Sequence, residues 1–239
     1  MTMRLLRSLC ISVAALVLGG ATAADQTAAW RDSTLTRLEA LALIQTLNAE
    51  LLASNSATLT LERWCKAHTL AEPALIVARR IPDSEKTPTV AQRTNLQVGA
   101  EEPIRYRRVE LRCGSKLLSV ADNWYVPARL TAEMNHLLDT TETPFGKVVQ
   151  SLHPDRHTLA LRILWSPLPD GWEQASSVRR PQLAGPAHRA RAKLLVPDEL
   201  FEHQAVLSSD QHLPLAELHE VYQRAVLEFP EPVLGPIVK

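Results

Sequence analysis

Two arginines and a glutamate stand where their side chains could hold and work on a small organic acid. In a half-buried strand, alternate residues share a face. Between positions 107 and 113 one face carries Arg107, Val109, Leu111 and Cys113, and the other Arg108, Glu110 and Arg112. Arg107 therefore ends an otherwise apolar face, whereas Arg108 belongs to a charged one. Late in the chain Ala216, Leu218, Glu220 and Tyr222 share a face, and His203 falls in with Phe201, Ala205 and Leu207. A charge on an apolar face is costly unless it is paired. Either Arg107 and Glu220 pair with each other as a buried bridge, or they line a cavity. In a cavity the planar guanidinium takes a carboxylate through two parallel hydrogen bonds, and an apolar setting equips a glutamate to donate a proton. The residue pattern alone favours the bridge.

The elements that must position these groups follow from periodicity. Leu35, Leu38, Leu41, Ile44, Leu47, Leu51 and Leu52 recur at helical spacing behind Asp32-Ser33, which predicts a helix over 33–53. A second helix is expected over 57–68 and a third over 130–138. Strands are expected over 74–81, 105–113, 116–126, 158–165, 201–208 and 213–229, the last two joined as a hairpin. The polar stretch 82–102 reads as loop or weak strand. Residues 166–192 are rich in Pro, Gly and basic side chains and read as a loop insertion. Its Arg179, Arg180, His188, Arg189 and Arg191 suit a solvated charge run better than an anion site. The expected class is α+β: an antiparallel sheet of about six strands covered on one face by helices.

Residues 1–23 have the form of a secretory signal. Arg4 and Arg7 precede the apolar run 9–18, and Ala21-Thr22-Ala23 supplies the small-x-small cleavage pattern. The run is shorter than the roughly 20 residues of a spanning helix, so no membrane span is expected after cleavage. The expectation is a periplasmic or secreted protein with residues 24–239 as one domain. The full chain is balanced, with 26 basic and 26 acidic residues, and lacks the clustered basic excess of a nucleic-acid binder. Two cysteines, Cys65 and Cys113, lie outside the signal. They read equally well as a disulfide or as two buried thiols. The close pair His153 and His157 is interrupted by Pro154, which argues against a helical ligand pair, and no metal site is expected.

Four pieces in order resemble the chorismate pyruvate-lyases. They are LLASNSATLTLERW, the strand pair containing Cys113, Trp124 and Pro127, the segment Thr143-Pro144-Phe145-Gly146, and PLAELHEVY with Glu220. The resemblance implies a cofactor-free fold that binds a small carboxylated aromatic ligand. It also implies elimination of pyruvate from chorismate to give 4-hydroxybenzoate. It carries ligand contacts onto Leu59 (or Ala57), onto Arg107 or Arg108, and onto Phe145, with Glu220 as the catalytic group. A gapless match selects Arg108, while the face argument selects Arg107.

The chain departs from that family's pattern at Asp122-Asn123, where a basic residue is usual, and in the insertion at 166–192. Taken with the export signal, these departures favour a binder over a working lyase; a monomer is expected. The rival expectation is a structural or interaction protein of the cell envelope, with its pocket filled by its own side chains.

Overall fold

The computed structural model describes residues 30–82, 84–174 and 192–232. The segment expected to be an export signal and most of the expected insertion at 166–192, including its basic residues, lie outside these. Ser33 caps helix α1 (Thr34–Leu52), its Oγ accepting the Thr36 N–H at 3.0 Å. Ser56 does the same for α2 (Ala57–Ala67), accepting from the Leu59 N–H. Each cap satisfies a backbone donor that the helix itself cannot.

Strands β1 (Ile76–Arg80), β2 (Arg105–Cys113) and β3 (Lys116–Tyr125) form one antiparallel meander. Strands β4 (Asp155–Ile163), β5 (Glu199–Ser208) and β6 (Pro214–Gln223) form another. The meanders join where β3 pairs with β6, giving a six-stranded antiparallel sheet in the order β1-β2-β3-β6-β5-β4. The turn between β2 and β3 needs glycine. Gly114 has φ +55°, and a Cβ there would come within 2.7 Å of the Ala71 side chain.

The alternation read from the sequence holds in β2, where Arg107, Val109, Leu111 and Cys113 are all buried. That face packs under α1 and α2 at one end, through Ile44, Leu47, Leu51 and Leu61 against Val109, Leu111, Ala121, Phe201 and Tyr222. At the other end it packs under α4 (Ala132–Thr140) and α5 (Phe145–Val148), through Met134, Leu138, Phe145 and Val148 against Tyr125, Ala216 and Leu218. The class is α+β, as expected. Cys65 of α2 and Cys113 of β2 form a disulfide, which resolves the two readings of these residues.

Four segments differ from expectation. The polar stretch after β1 contains a short helix, α3 (Val90–Asn95), closed by a reciprocal capping box between Thr89 and Gln92. It lies on the opposite face of the sheet, where Leu96 packs with Trp124 and Val126 and the Asn95 amide donates to Glu217. The strand expected over 213–229 stops at Gln223. Ala225, Val226 and Leu227 are buried in succession in a 3-10 turn, which a two-faced strand does not allow. The first strand starts at Ile76, after Pro73 has already folded back in a turn with Leu75. The fourth begins at Asp155, earlier than expected, because the polar Asp155, Arg156 and His157 pair with Ser208, Leu207 and Val206 of β5.

Candidate functional site

The site lies on the helix-covered face, where β2, β3, β6 and β4 pass beneath the start of α2 and the Thr-Pro-Phe-Gly turn. Cross-strand register brings Ala121 opposite Glu220 and Asn123 opposite both Arg107 and Leu218. A cavity of about 30 Å3 is walled by Asn123, Glu220 and Arg156 below, Ala57 and Thr58 at the helix start, and Phe145 and Gly146 opposite. Gly146 permits the close approach of the turn to the helix, since a Cβ there would lie 3.3 Å from Ser56 Oγ.

Glu220 is 3% exposed, and its partner is Arg156, not Arg107. Arg156 Nη2 donates to Glu220 Oε2 at 2.7 Å, and the Tyr222 hydroxyl donates to the same oxygen at 3.1 Å. Arg156 Nη1 also donates to Thr158 Oγ1 at 3.1 Å. Burial, and next the Glu220 charge, pushes the Tyr222 phenol well above its ordinary range. Beside this group, His203 is fully buried, with Nε2 2.8 Å from Asn48 Oδ1. That acceptor requires Nε2 to carry the hydrogen. Nδ1 is left without a partner, and burial, reinforced by Arg156, pushes the imidazole down to about 4.

Arg107 is 2% exposed and has no carboxylate partner among the described residues. Its Nη1 donates to the Thr143 carbonyl at 3.3 Å and Nη2 to the Thr141 carbonyl at 3.4 Å, while Nε has no partner. Burial, and after it the Arg80 charge, lowers its proton affinity. A buried cation held only by two long bonds to carbonyls is an unfavourable arrangement for a free protein.

The candidate residues thus divide. Glu220 and Phe145 wall the cavity together; Arg107 is not among its walls and adjoins it through its register partner Asn123, its guanidinium bonded to the carbonyl two residues before Phe145. Of the two helix-start residues, Ala57 walls the cavity with Thr58, and Leu59, the third residue of α2, does not. Arg108 points to the other face, with Nε 3.6 Å from Asp122 Oδ1. Asp122 gathers Lys86 and the Tyr106 hydroxyl there as well, so that half of the departure from the lyase pattern belongs to the opposite face, while Asn123 walls the cavity. Sequence reasoning missed Arg156. It sits in His153-Pro-Asp-Arg-His, and only its alternation with Thr158 on a strand starting at Asp155 marks it as inward-facing.

Uncharacterized protein y4mC of Sinorhizobium fredii (strain NBRC 101917 / NGR234) is 49% identical to this chain over 208 residues. The match covers 87% of this chain and 84% of that protein. The chain belongs to the y4mC family. No family model matches it. Among solved structures, this y4mC relative is similar to the effector domain of PhnF from Mycobacterium smegmatis. That likeness has a TM-score of 0.43 and 14% identity, and covers 71% of this chain and 88% of that one. The gene product SA0254 of Staphylococcus aureus N315 gives a TM-score of 0.39 and 12% identity, over 68% and 92%. Likenesses this low carry no weight for the ligand or activity of the y4mC family.

Proposed function

We propose that the chain is an exported protein of chorismate-lyase-like fold that binds a small carboxylated aromatic ligand between the sheet and the helices. One observation carries this reading: Arg107 is buried next to the cavity wall residue Asn123 and makes no ion pair among the described residues. A ligand carboxylate supplies the missing partner and fits the planar guanidinium in two-pronged fashion. The resemblance to the lyases implies a ligand-holding arginine in this strand; its gapless match falls on Arg108, and the burial of Arg107 on the helix-covered face favours Arg107 instead. Glu220 already accepts from Arg156 and Tyr222 on Oε2, which suits a carboxylate that receives a ligand hydroxyl better than one that donates a proton. That favours binding over pyruvate elimination. The disulfide between Cys65 and Cys113 supports export, because such bonds persist in oxidising compartments.

A ring does not fit the cavity as it stands. About 30 Å3 holds one or two waters, whereas a benzene-sized guest fills a cavity of roughly 150 Å3. Entry therefore requires the Thr-Pro-Phe-Gly turn to move off the start of α2. The same small volume favours the rival reading, a structural or interaction protein of the cell envelope whose pocket stays shut.

Thermal shift and calorimetry with 4-hydroxybenzoate, together with incubation of the oxidised protein with chorismate, separate the readings. The binder gives a saturable shift and no 4-hydroxybenzoate from chorismate. Product formation would make it a lyase. Neither shift nor product would leave the structural reading.

A further inference from the structure

Arg80 ends β1 on the same face as Arg107. Register places Ile76 opposite Cys113, Ala78 opposite Leu111 and Arg80 opposite Val109, all on the helix-covered face. Arg80 and Arg107 are thus diagonal neighbours across β1 and β2, a separation of roughly 7–8 Å that long side chains bridge easily. Arg80 is exposed and makes no ion pair among the described residues.

An exposed arginine by itself is a solvated side chain. This one lies diagonally across from a buried arginine that makes no ion pair among the described residues, and after burial its charge is the next cause that disfavours the Arg107 charge. The neighbouring acids offset that imbalance only in part: Asp139 favours the Arg107 charge, but less than burial and Arg80 oppose it. Asp139 is engaged by Arg105 at 2.8 Å. Glu142 contributes its backbone carbonyl to the Ala78 N–H at 2.7 Å and makes no ion pair among the described residues.

We propose that Arg80 and Arg107 form a two-arginine clamp for a ligand carrying two adjacent carboxylates. Arg107 takes the inner carboxylate and Arg80, at the exposed end of β1, the outer one. The clamp rests on the reading of Arg107 as a ligand anchor and narrows the ligand from an aromatic acid to an aromatic vicinal diacid. A mono-acid neutralises one guanidinium and leaves the other repelling its neighbour, while a diacid satisfies both.

The test is calorimetric titration of the oxidised protein with 4-hydroxybenzoate and with 4-hydroxyphthalate, which adds the second carboxylate to the same ring. The wild type should bind the diacid about tenfold more tightly, the scale of one charge-assisted hydrogen bond. Arg80→Gln should lose that preference, and Arg80→Lys should keep part of it. Without ligand, Arg80→Gln should melt higher than the wild type, because the like charge beside Arg107 is gone. A merely structural Arg80 would not give this opposite movement of stability and diacid preference. Equal affinity of the wild type for the two acids, or a preference that survives in Arg80→Gln, would overturn the clamp while leaving the anchor intact. Failure of the wild type to bind either acid would remove the anchor and the clamp together.

Discussion

Arg156 on β4 holds Glu220 on β6 through a 2.7 Å bond from Nη2 to Oε2, with both side chains withdrawn from solvent. Stranding one member of a buried pair costs about 3–5 kcal/mol, whereas replacing both with apolar residues is often neutral. Arg156→Ala and Glu220→Gln should each lose about that much stability in urea denaturation. The double variant Arg156→Met/Glu220→Leu should recover most of it. If the double variant loses the sum of the two single losses, the pair is not coupled.

Arg107 should behave in the opposite way. Arg107→Met removes an uncompensated buried charge from an apolar face, so the free protein should gain about 1–2 kcal/mol. The same variant should lose its 4-hydroxybenzoate thermal shift. A destabilised variant would mean that the bonds to Thr141 and Thr143 outweigh the burial of the charge.

His203 predicts a pH dependence with a definite sign. Burial and the Arg156 charge hold the folded imidazole down at about 4, while the unfolded chain titrates near its ordinary value, about 6.5. Between those values the unfolded state binds a proton that the folded state does not. Stability therefore falls as pH drops through this window, by up to about 3 kcal/mol from this group. His68, also pushed down by burial, adds in the same sense. Denaturation midpoints measured from pH 7 to pH 4 should fall less steeply in His203→Gln than in the wild type. Parallel profiles would count against His203 as the source.

The Cys65–Cys113 bridge closes a loop with a sequence separation of 48. Loop-closure entropy puts its contribution at about 4 kcal/mol. Replacing both cysteines with serine should lower the melting temperature markedly. Both sulfurs are buried, so the native wild type should resist a mild reductant until it unfolds, as thiol titration with and without denaturant would show.

The fold was legible in the sequence wherever a local rule operates alone. Ser33 and Ser56 announce the two long helices, and the alternation from Arg107 to Cys113 assigns the inward face of β2 correctly. Glu220 was legible for the same reason, as a charge among Ala216, Leu218 and Tyr222. Its partner was not, because pairing across β4, β5 and β6 is a tertiary fact and Arg156 stands in an edge strand with polar neighbours. Helix α3 escaped for a different reason. Thr89 and Gln92 carry the capping-box spacing, but the helix spans only six residues and shows too little periodicity to stand out. The end of β6 was overrun because Ala225-Val226-Leu227 continues the apolar composition after the alternation has stopped.

The sheet order has a consequence for the time course of folding. Each three-strand meander can form from neighbouring chain, and the disulfide closes wholly within the first half, between α2 and β2. The seam between β3 and β6 joins residues such as Ala121 and Glu220, about a hundred positions apart, and contacts of that span form slowly. Asn123 comes from one half and Glu220 with Arg156 from the other, so neither half alone possesses a site. Ligand binding should thus be among the last properties a refolding molecule acquires, later than its helical signal and later than its oxidation.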